Sequence, residues 1–210
     1  MLGSFPSAVL YTKIHAGPDI YQVGSGNPGA TNIKRFYGWR GFFVVFVLDA
    51  AKGAIATAIA TTLATTANTT WLPGAAATLA IAGHCFPFWN PTKGGKGVAT
   101  FIGCMTFFNW PLGMVTMSTW VTVYAITKIG SLGSMLGLAA AGIGVIGWGS
   151  IWPAGSFLTA VALIVFQHRT NLQHFKEGQL TRIIHEALVI DDYCMYIKGL
   201  YECNFLQCVE

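Results

Sequence analysis

Residues 97–127 read GVATFIGCMTFFNWPLGMVTMSTWVTVYAIT, and beyond Lys128 residues 129–168 read IGSLGSMLGLAAAGIGVIGWGSIWPAGSFLTAVALIVFQH. Lys128 is the only Asp, Glu, Lys or Arg between Lys96 and Arg169. Another uncharged run, forty residues long, separates Lys52 from Lys93. About twenty apolar residues suffice to cross a bilayer as a helix. The whole chain of 210 residues is 53% hydrophobic and 10% charged, with a mean hydropathy of +0.54. A soluble domain carries about 25% charged residues. Soluble and disordered classes are both excluded. The chain reads as an all-α, polytopic helical membrane protein.

Working outward, the two runs can hold two long spans, or four shorter helices divided near 109–111, 128–130 and 148–153. Four is preferred, because Pro111 and Pro153 each interrupt a helix. Several of these helices are then ~15 residues, or ~22 Å, long. Gly133 and Gly137 form a small-xxx-small pair that lets such helices approach closely. Upstream, residues 42–64 and 71–88 read as helices, the latter broken at 83–87. Residues 1–11 are apolar but too short to span, so the first helix is expected to be truncated or shallow. The total is seven transmembrane helices, with five as the alternative. Residues 13–41, with Gly17, Pro18, Gly24, Gly26, Pro28 and Gly29, have the breaker density of a loop. Residues 89–97 make a second glycine- and lysine-rich loop.

Charge places these loops. Residues 1–182 hold eleven basic and three acidic residues, whereas 183–210 hold one basic and five acidic. An even number of spans puts the loops at 15–41 and 89–97 and the segment at 168–182 on one face. That face collects the bases, as cytoplasmic loops do. We therefore expect a membrane-embedded domain at 1–182 and an acidic extension at 183–210. No basic face belongs to a soluble domain, so nucleic acid is not expected as a partner. Cys85 and Cys104 lie in apolar stretches and read as small hydrophobes. Cys194, Cys203 and Cys208 lack metal-ligand spacing. No cleavable signal peptide is visible.

Three polar clusters share the basic face. In the first, Gly24, Gly26 and Gly29 let the backbone approach a ligand, and a turn rich in N–H groups forms an anion nest. Ser25, Asn27, Thr31 and Asn32 add polar side chains, and Arg35 offers a fork suited to phosphate. The plainer alternative is a solvated loop. The second cluster, Lys93, Gly94, Gly95, Lys96 and Gly97, opens an apolar helix, and N–H groups at a helix start attract anions. Lysines anchoring at lipid headgroups are the alternative there. His84, nearby, reads as a packed histidine. In the third, His168 and Asn171 are three apart and share a face if that helix continues. Asp49 and Lys52 are also three apart within a span. They read as a structural ion pair, or alternatively as residues that snorkel to the interface.

Together GSGNPGATN at 24–32 with Arg35, Asp49 with Lys52-Gly53, Gly83-His84 with Phe86-Pro87, KGGKGVAT at 93–100, and His168-Arg169 with Asn171 resemble a family. In this order and spacing the chain is similar to the bacterial acyl-phosphate:glycerol-3-phosphate acyltransferases, over about residues 3–178. The resemblance implies a multi-pass enzyme of the bacterial inner membrane with its loops facing the cytoplasm. It would transfer an acyl group from acyl phosphate, without acyl-CoA, to glycerol 3-phosphate. The products would be lysophosphatidic acid, a phospholipid precursor, and phosphate. No cofactor or metal is implied. Carried over by motif, catalytic groups fall on Ser25, Arg35, His168 and Asn171. Binding groups fall on Gly24, Gly26, Asn27, Thr31, Asn32, on Lys93, Gly94, Gly95, Lys96 and Gly97, and on Ser131. The chain departs from the family at His174 and Leu180, where Arg and Glu are usual, and in residues 183–210.

Acyl phosphate is a mixed anhydride with a good leaving group. Positioning then supplies roughly 7–11 kcal/mol, and preorganised donors ~3–4 kcal/mol each. The clusters contain no carboxylate to orient a histidine base, so the donor's own phosphate is expected to take the hydroxyl proton. Ser25 lacks an adjacent base, which favours direct transfer over an acyl-serine. Two rivals stand beside this reading. Asp49 and Lys52 at membrane depth suit a transporter or channel for a phosphorylated anion, and the altered ends suit an inactive homologue.

Overall fold

The computed structural model describes residues 1–148 and 152–176, and among them every regular element is helical. A single 3-10 turn, Leu2–Ser4, precedes α1 (Ser7–Ile14), α2 (Ala30–Ala67), α3 (Leu72–Cys85) and α4 (Val98–Phe108). Then follow α5 (Trp110–Thr127), α6 (Gly130–Trp148), α7 (Ala154–Gln167) and α8 (Arg169–Lys176). The extension at 183–210 and Leu180 lie outside the described residues, and so does the side chain of His174.

The uncharged runs divide four ways, not two. Asn109 ends α4 and caps α5, accepting from the Leu112 N–H at 3.3 Å, with Pro111 in the first turn of α5. Lys128 closes α5 in the left-handed conformation (φ 59°), and Pro153 precedes α7. Two helices, α2 and α6, are long and apolar enough to cross a bilayer. The apolar helices α3, α4 and α7 are shorter, as expected. Helix α3 begins with Pro73 in its first turn and ends at Cys85, just before Pro87.

One element begins earlier than the sequence suggests. Residues 30–41 are helical, so the first polar cluster straddles a turn and the start of α2. The glycines that signal a loop do different work here. Gly29 is the extended residue before the helix, and Gly38 (φ 62°, ψ −162°) kinks it. That conformation is open essentially to glycine alone. The kink separates a polar first segment from the membrane span.

Packing brings α5 onto α6, α2 onto α3 and α4, and α3 onto α7. Small residues set the close contacts. Gly103 of α4 sits on the backbone of Ala50, and Gly133 and Gly137 of α6 meet Trp120 and Thr116 of α5. One core gathers Phe101, Met105, Trp152 and Ile164. A second joins α1, α2 and α5 through Ala8, Ile33, Phe42 and Trp120, with the Phe42 and Trp120 rings stacked at 5.5 Å. The threonines of α2 are compatible with an apolar setting because their hydroxyls bond back to carbonyls one turn earlier. Thr57 reaches Gly53 O at 2.8 Å and Thr61 reaches Thr57 O at 2.9 Å, so the helix satisfies its own polar atoms.

Candidate functional site

Three helices begin at one place. Residues 29–31 at the start of α2, 97–99 at the start of α4 and 129–131 at the start of α6 all line a single cavity of about 170 Å³. Neither α2 nor α4 has a side-chain cap. Helix starts carry roughly half a positive charge each and present N–H groups to an anion. The start of α4 depends on Gly97, whose φ is 84° and where an added Cβ would press on Cys85, Ile81 and Ile164. Any side chain there meets both backbone strain and a crowded wall.

Into the same cavity the fold brings Ser25, Asn27, Thr31, Asn32 and Arg35 from the first cluster, and Lys96 from the second. It adds Ser131 from α6 and His168 and Asn171 from the third cluster. Residues up to 146 positions apart in sequence thus line one cavity.

Lys96 Nζ donates to Asn171 Oδ1 at 2.6 Å. Burial, and after it the nearby Arg35 guanidinium, lower the Lys96 pKa to about 8. The Asn171 oxygen is engaged by this cation, so its NH₂ is the end that can donate to a ligand. His168 lies between α7 and α8 and is 1% exposed. Its Nδ1 is 2.8 Å from Ile164 O. A carbonyl only accepts, so the proton sits on Nδ1 and Nε2 keeps its lone pair. Burial, and then the Lys96 cation, lower the His168 pKa to about 4. The ring is neutral at physiological pH.

The first cluster is held by Asn32, which is buried. Its Oδ1 accepts from the Ser25 N–H at 3.0 Å, and its Nδ2 donates to Val23 O at 3.0 Å and Ile20 O at 3.4 Å. Both amide hydrogens are engaged, so Asn32 fixes the turn that presents Ser25 and has no hydrogen left to offer a ligand. Gly24 (φ 58°) passes so close to Asn32 Oδ1 that no Cβ fits. Gly24 and Gly26 shape this turn without lining the cavity.

The lysine loop divides. Lys96 and Gly97 face the main cavity, whereas Lys93, Gly94 and Gly95 line a second one of about 20 Å³. Lys93 Nζ lies 5.3 Å from the centre of the Tyr21 ring. Asp49 and His84 form a wall common to both cavities. Asp49 Oδ1 accepts from Lys52 Nζ and from Ser7 Oγ, each at 2.8 Å. Lys52 also donates to Phe5 O at 3.1 Å. His84 Nδ1 stands 3.5 Å from the same carboxylate oxygen, without hydrogen-bond alignment. Both members of the ion pair are buried, so they are paired inside the protein and do not snorkel.

The lining residues not singled out as ligands from the sequence include His84 and Lys128. Lys128 carried a signal, since one cation interrupting seventy uncharged residues is costly unless it is used. His84 read as a packed histidine although it stands in the motif Gly83-His84 with Phe86-Pro87, because its neighbour Asp49 is 35 positions away. Phe42, Phe46 and Ile102 add apolar lining to the same cavity.

Residues 1–178 match the family model described as glycerol-3-phosphate acyltransferase. The glycerol-3-phosphate acyltransferase of Maricaulis maris (strain MCS10) is 38% identical over 183 residues, 87% of this chain and 83% of that protein. That of Francisella tularensis subsp. novicida (strain U112) is 36% identical over 192 residues, 91% of this chain and 93% of the relative. Among solved structures, PlsY (YgiH), an integral membrane glycerol 3-phosphate acyltransferase, in its glycerol 3-phosphate form superposes with a TM-score of 0.73 at 30% identity. The match covers 85% of this chain and 88% of that one. Its lysophosphatidic acid form superposes with a TM-score of 0.72 at 29% identity. With the motifs meeting in one anion-suited cavity and the family match running over residues 1–178, the chain belongs to the glycerol-3-phosphate acyltransferase family.

Proposed function

We propose that this chain transfers a fatty acyl group from acyl phosphate to glycerol 3-phosphate, giving lysophosphatidic acid and phosphate, at the cavity where α2, α4 and α6 begin. The observation that carries this reading is the pairing of three helix starts, Arg35, Lys96 and Lys128 with an apolar wall on one cavity. Phosphoryl dianions suit the first set, and the start of an acyl chain suits the second. The domain is residues 1–182, set in a bacterial inner membrane with these loops facing the cytoplasm, and 183–210 form an appended extension. One substrate then arrives from water and the other from lipid.

Arg35, Lys96 and the helix starts hold phosphate groups. The Asn171 NH₂ is suited to the carbonyl oxygen as it gains charge, a contribution of ~3–4 kcal/mol for one well-placed donor. Ser25, Asn27, Thr31 and Ser131 supply hydroxyls and an amide for phosphate or glycerol oxygens. His168 Nε2 accepts a hydrogen bond from the attacking hydroxyl and orients it. A ring with a pKa of about 4 is a weak base. The proton therefore passes to the departing phosphate as the C–O bond to glycerol forms and the C–O bond to phosphate breaks. Ser25 binds and does not become acylated.

The test is purified protein in detergent with glycerol 3-phosphate, supplied with acyl phosphate and acyl-CoA in competition. Lysophosphatidic acid drawn from the acyl phosphate pool alone is expected. Product in the absence of a sealed compartment is something a transporter does not give. No product refutes the reading, and product from acyl-CoA refutes the donor. An acyl adduct on Ser25 after quenching with acyl phosphate alone refutes direct transfer.

A further inference from the structure

The loop that carries Lys96 is gripped at one peptide. The Gly95 N–H donates to His84 O at 3.0 Å, and Gly95 O accepts from Gln167 Nε2 at 3.2 Å. The same Gln167 nitrogen donates to Cys85 O, at the last residue of α3, at 2.8 Å. Gln167 Oε1 in turn accepts from Arg169 at 3.3 Å. Both hydrogens and the oxygen of this amide are engaged, and its two acceptors lie 72 and 82 positions away in sequence. Gln167 is the last residue of α7, directly before His168 and four before Asn171. Gly95 directly precedes Lys96. The Gln167 amide therefore joins the backbone that carries Lys96 to the backbone that carries His168 and Asn171. It runs parallel to the direct Lys96–Asn171 bond, which spans 75 positions.

We propose that Gln167 is a positioning residue of this enzyme. By donating to the Cys85 and Gly95 carbonyls it fixes Lys96 against His168 and Asn171, and so sets the affinity of the site for the phosphorylated acceptor. The inference rests on the acyltransferase reading above and adds a residue to it. The loop is rich in glycine and so costs more chain entropy to order than other sequences do. A tie to each side of Gly95, His84 on one and Gln167 on the other, holds that order before substrate arrives. Geometry kept in advance appears as affinity, because less is lost on binding. A role confined to satisfying the end of α3 would appear as stability instead.

Gln167→Met keeps the length of the side chain and removes both donors. In Q167M the KM for glycerol 3-phosphate should rise about tenfold, the scale of one to two net hydrogen bonds, with kcat little changed. The alkaline inflection expected of that KM from Lys96, whose pKa burial lowers to about 8, should move upward as the loosened loop lets water reach the ammonium. Q167N, too short to reach both carbonyls, carries the same expectation as Q167M and replaces it if that variant does not fold. Wild-type KM and an unmoved inflection in Q167M or Q167N overturn the proposal, as does a fall in thermal stability with both kinetic readouts unchanged. A wild type that makes no product refutes the acyltransferase reading itself, a result distinct from an active wild type matched by its variants.

Discussion

At the scale of single residues, titration separates Lys96 from His168. The Lys96 pKa is lowered, to about 8, so its cation is complete below that pH and is lost as pH climbs through it. We predict that the KM for glycerol 3-phosphate is flat below about 8 and rises above it, and that Lys96→Arg shifts the rise to much higher pH. Steady-state kinetics from pH 6 to 10 check this, and an identical alkaline limb in both proteins contradicts it. His168 is already neutral above about 4, so kcat should show no His168-dependent inflection between pH 5 and 8. Asp49 and Lys52 invite a different measurement. Each is buried and each has further partners, Ser7 and Phe5. Removing one partner of a buried pair leaves an uncompensated charge at a cost of about 3–5 kcal/mol. Asp49→Asn and Lys52→Met should each lower the thermal midpoint more than the double variant does, and equal midpoints across all three sink the idea.

At the scale of elements, the kink of α2 is the feature with most consequence. Thr31 and Arg35 precede Gly38, and the membrane span follows it. Space is open around Gly38, with nothing within 4 Å of an added Cβ. Gly38→Ala therefore tests backbone conformation and not crowding. Alanine in that region costs of order 1–3 kcal/mol, which the helix can escape by straightening. A straighter α2 carries Arg35 away from Lys96 and the α4 start. We expect G38A to fold and to lose affinity for both phosphorylated substrates, read as KM increases larger than any fall in kcat. Unchanged KM values with lowered stability would make the kink a folding feature alone. Helix boundaries elsewhere followed local chemistry closely. Pro73, Pro111 and Pro153 lie at helix starts, and Asn109 serves two helices at once. The stretch 30–41 read wrongly, because glycine density signals a turn equally well when the glycine is a kink or a residue before a helix.

At the scale of the whole molecule, the site is a meeting of starts. Helices α2, α4 and α6 begin at the cavity, and α7 delivers His168 at its far end. Alternating direction through a membrane places such ends on one face, which suits a reaction between a water-borne and a lipid-borne substrate. All the named site residues lie before residue 172, and the acidic extension begins at 183. Deleting 183–210 should therefore leave kcat and KM within about twofold of the full chain, a change of ~0.4 kcal/mol. A large loss of turnover in the shortened protein would place part of the machinery in that extension.

The sequence by itself determined the class of the protein, the number of helices between Lys93 and Arg169, and three clusters of phosphate-suited residues. Those properties depend on composition, on breakers and on local spacing, all of which act within about twenty residues. Only the tertiary structure decided which members of each cluster face the same space. It turned Lys96 toward Asn171 and Lys93 toward Tyr21, made Asn32 a holder of its loop, and gave His168 an orienting partner in the Ile164 carbonyl. It also placed His84 beside Asp49 and bound Gln167 to Gly95. The physical reason is common to these cases. A side chain's role follows from which buried polar groups must find partners, and for Lys96, His84 and Gln167 those partners lie 35 to 75 positions away in the chain.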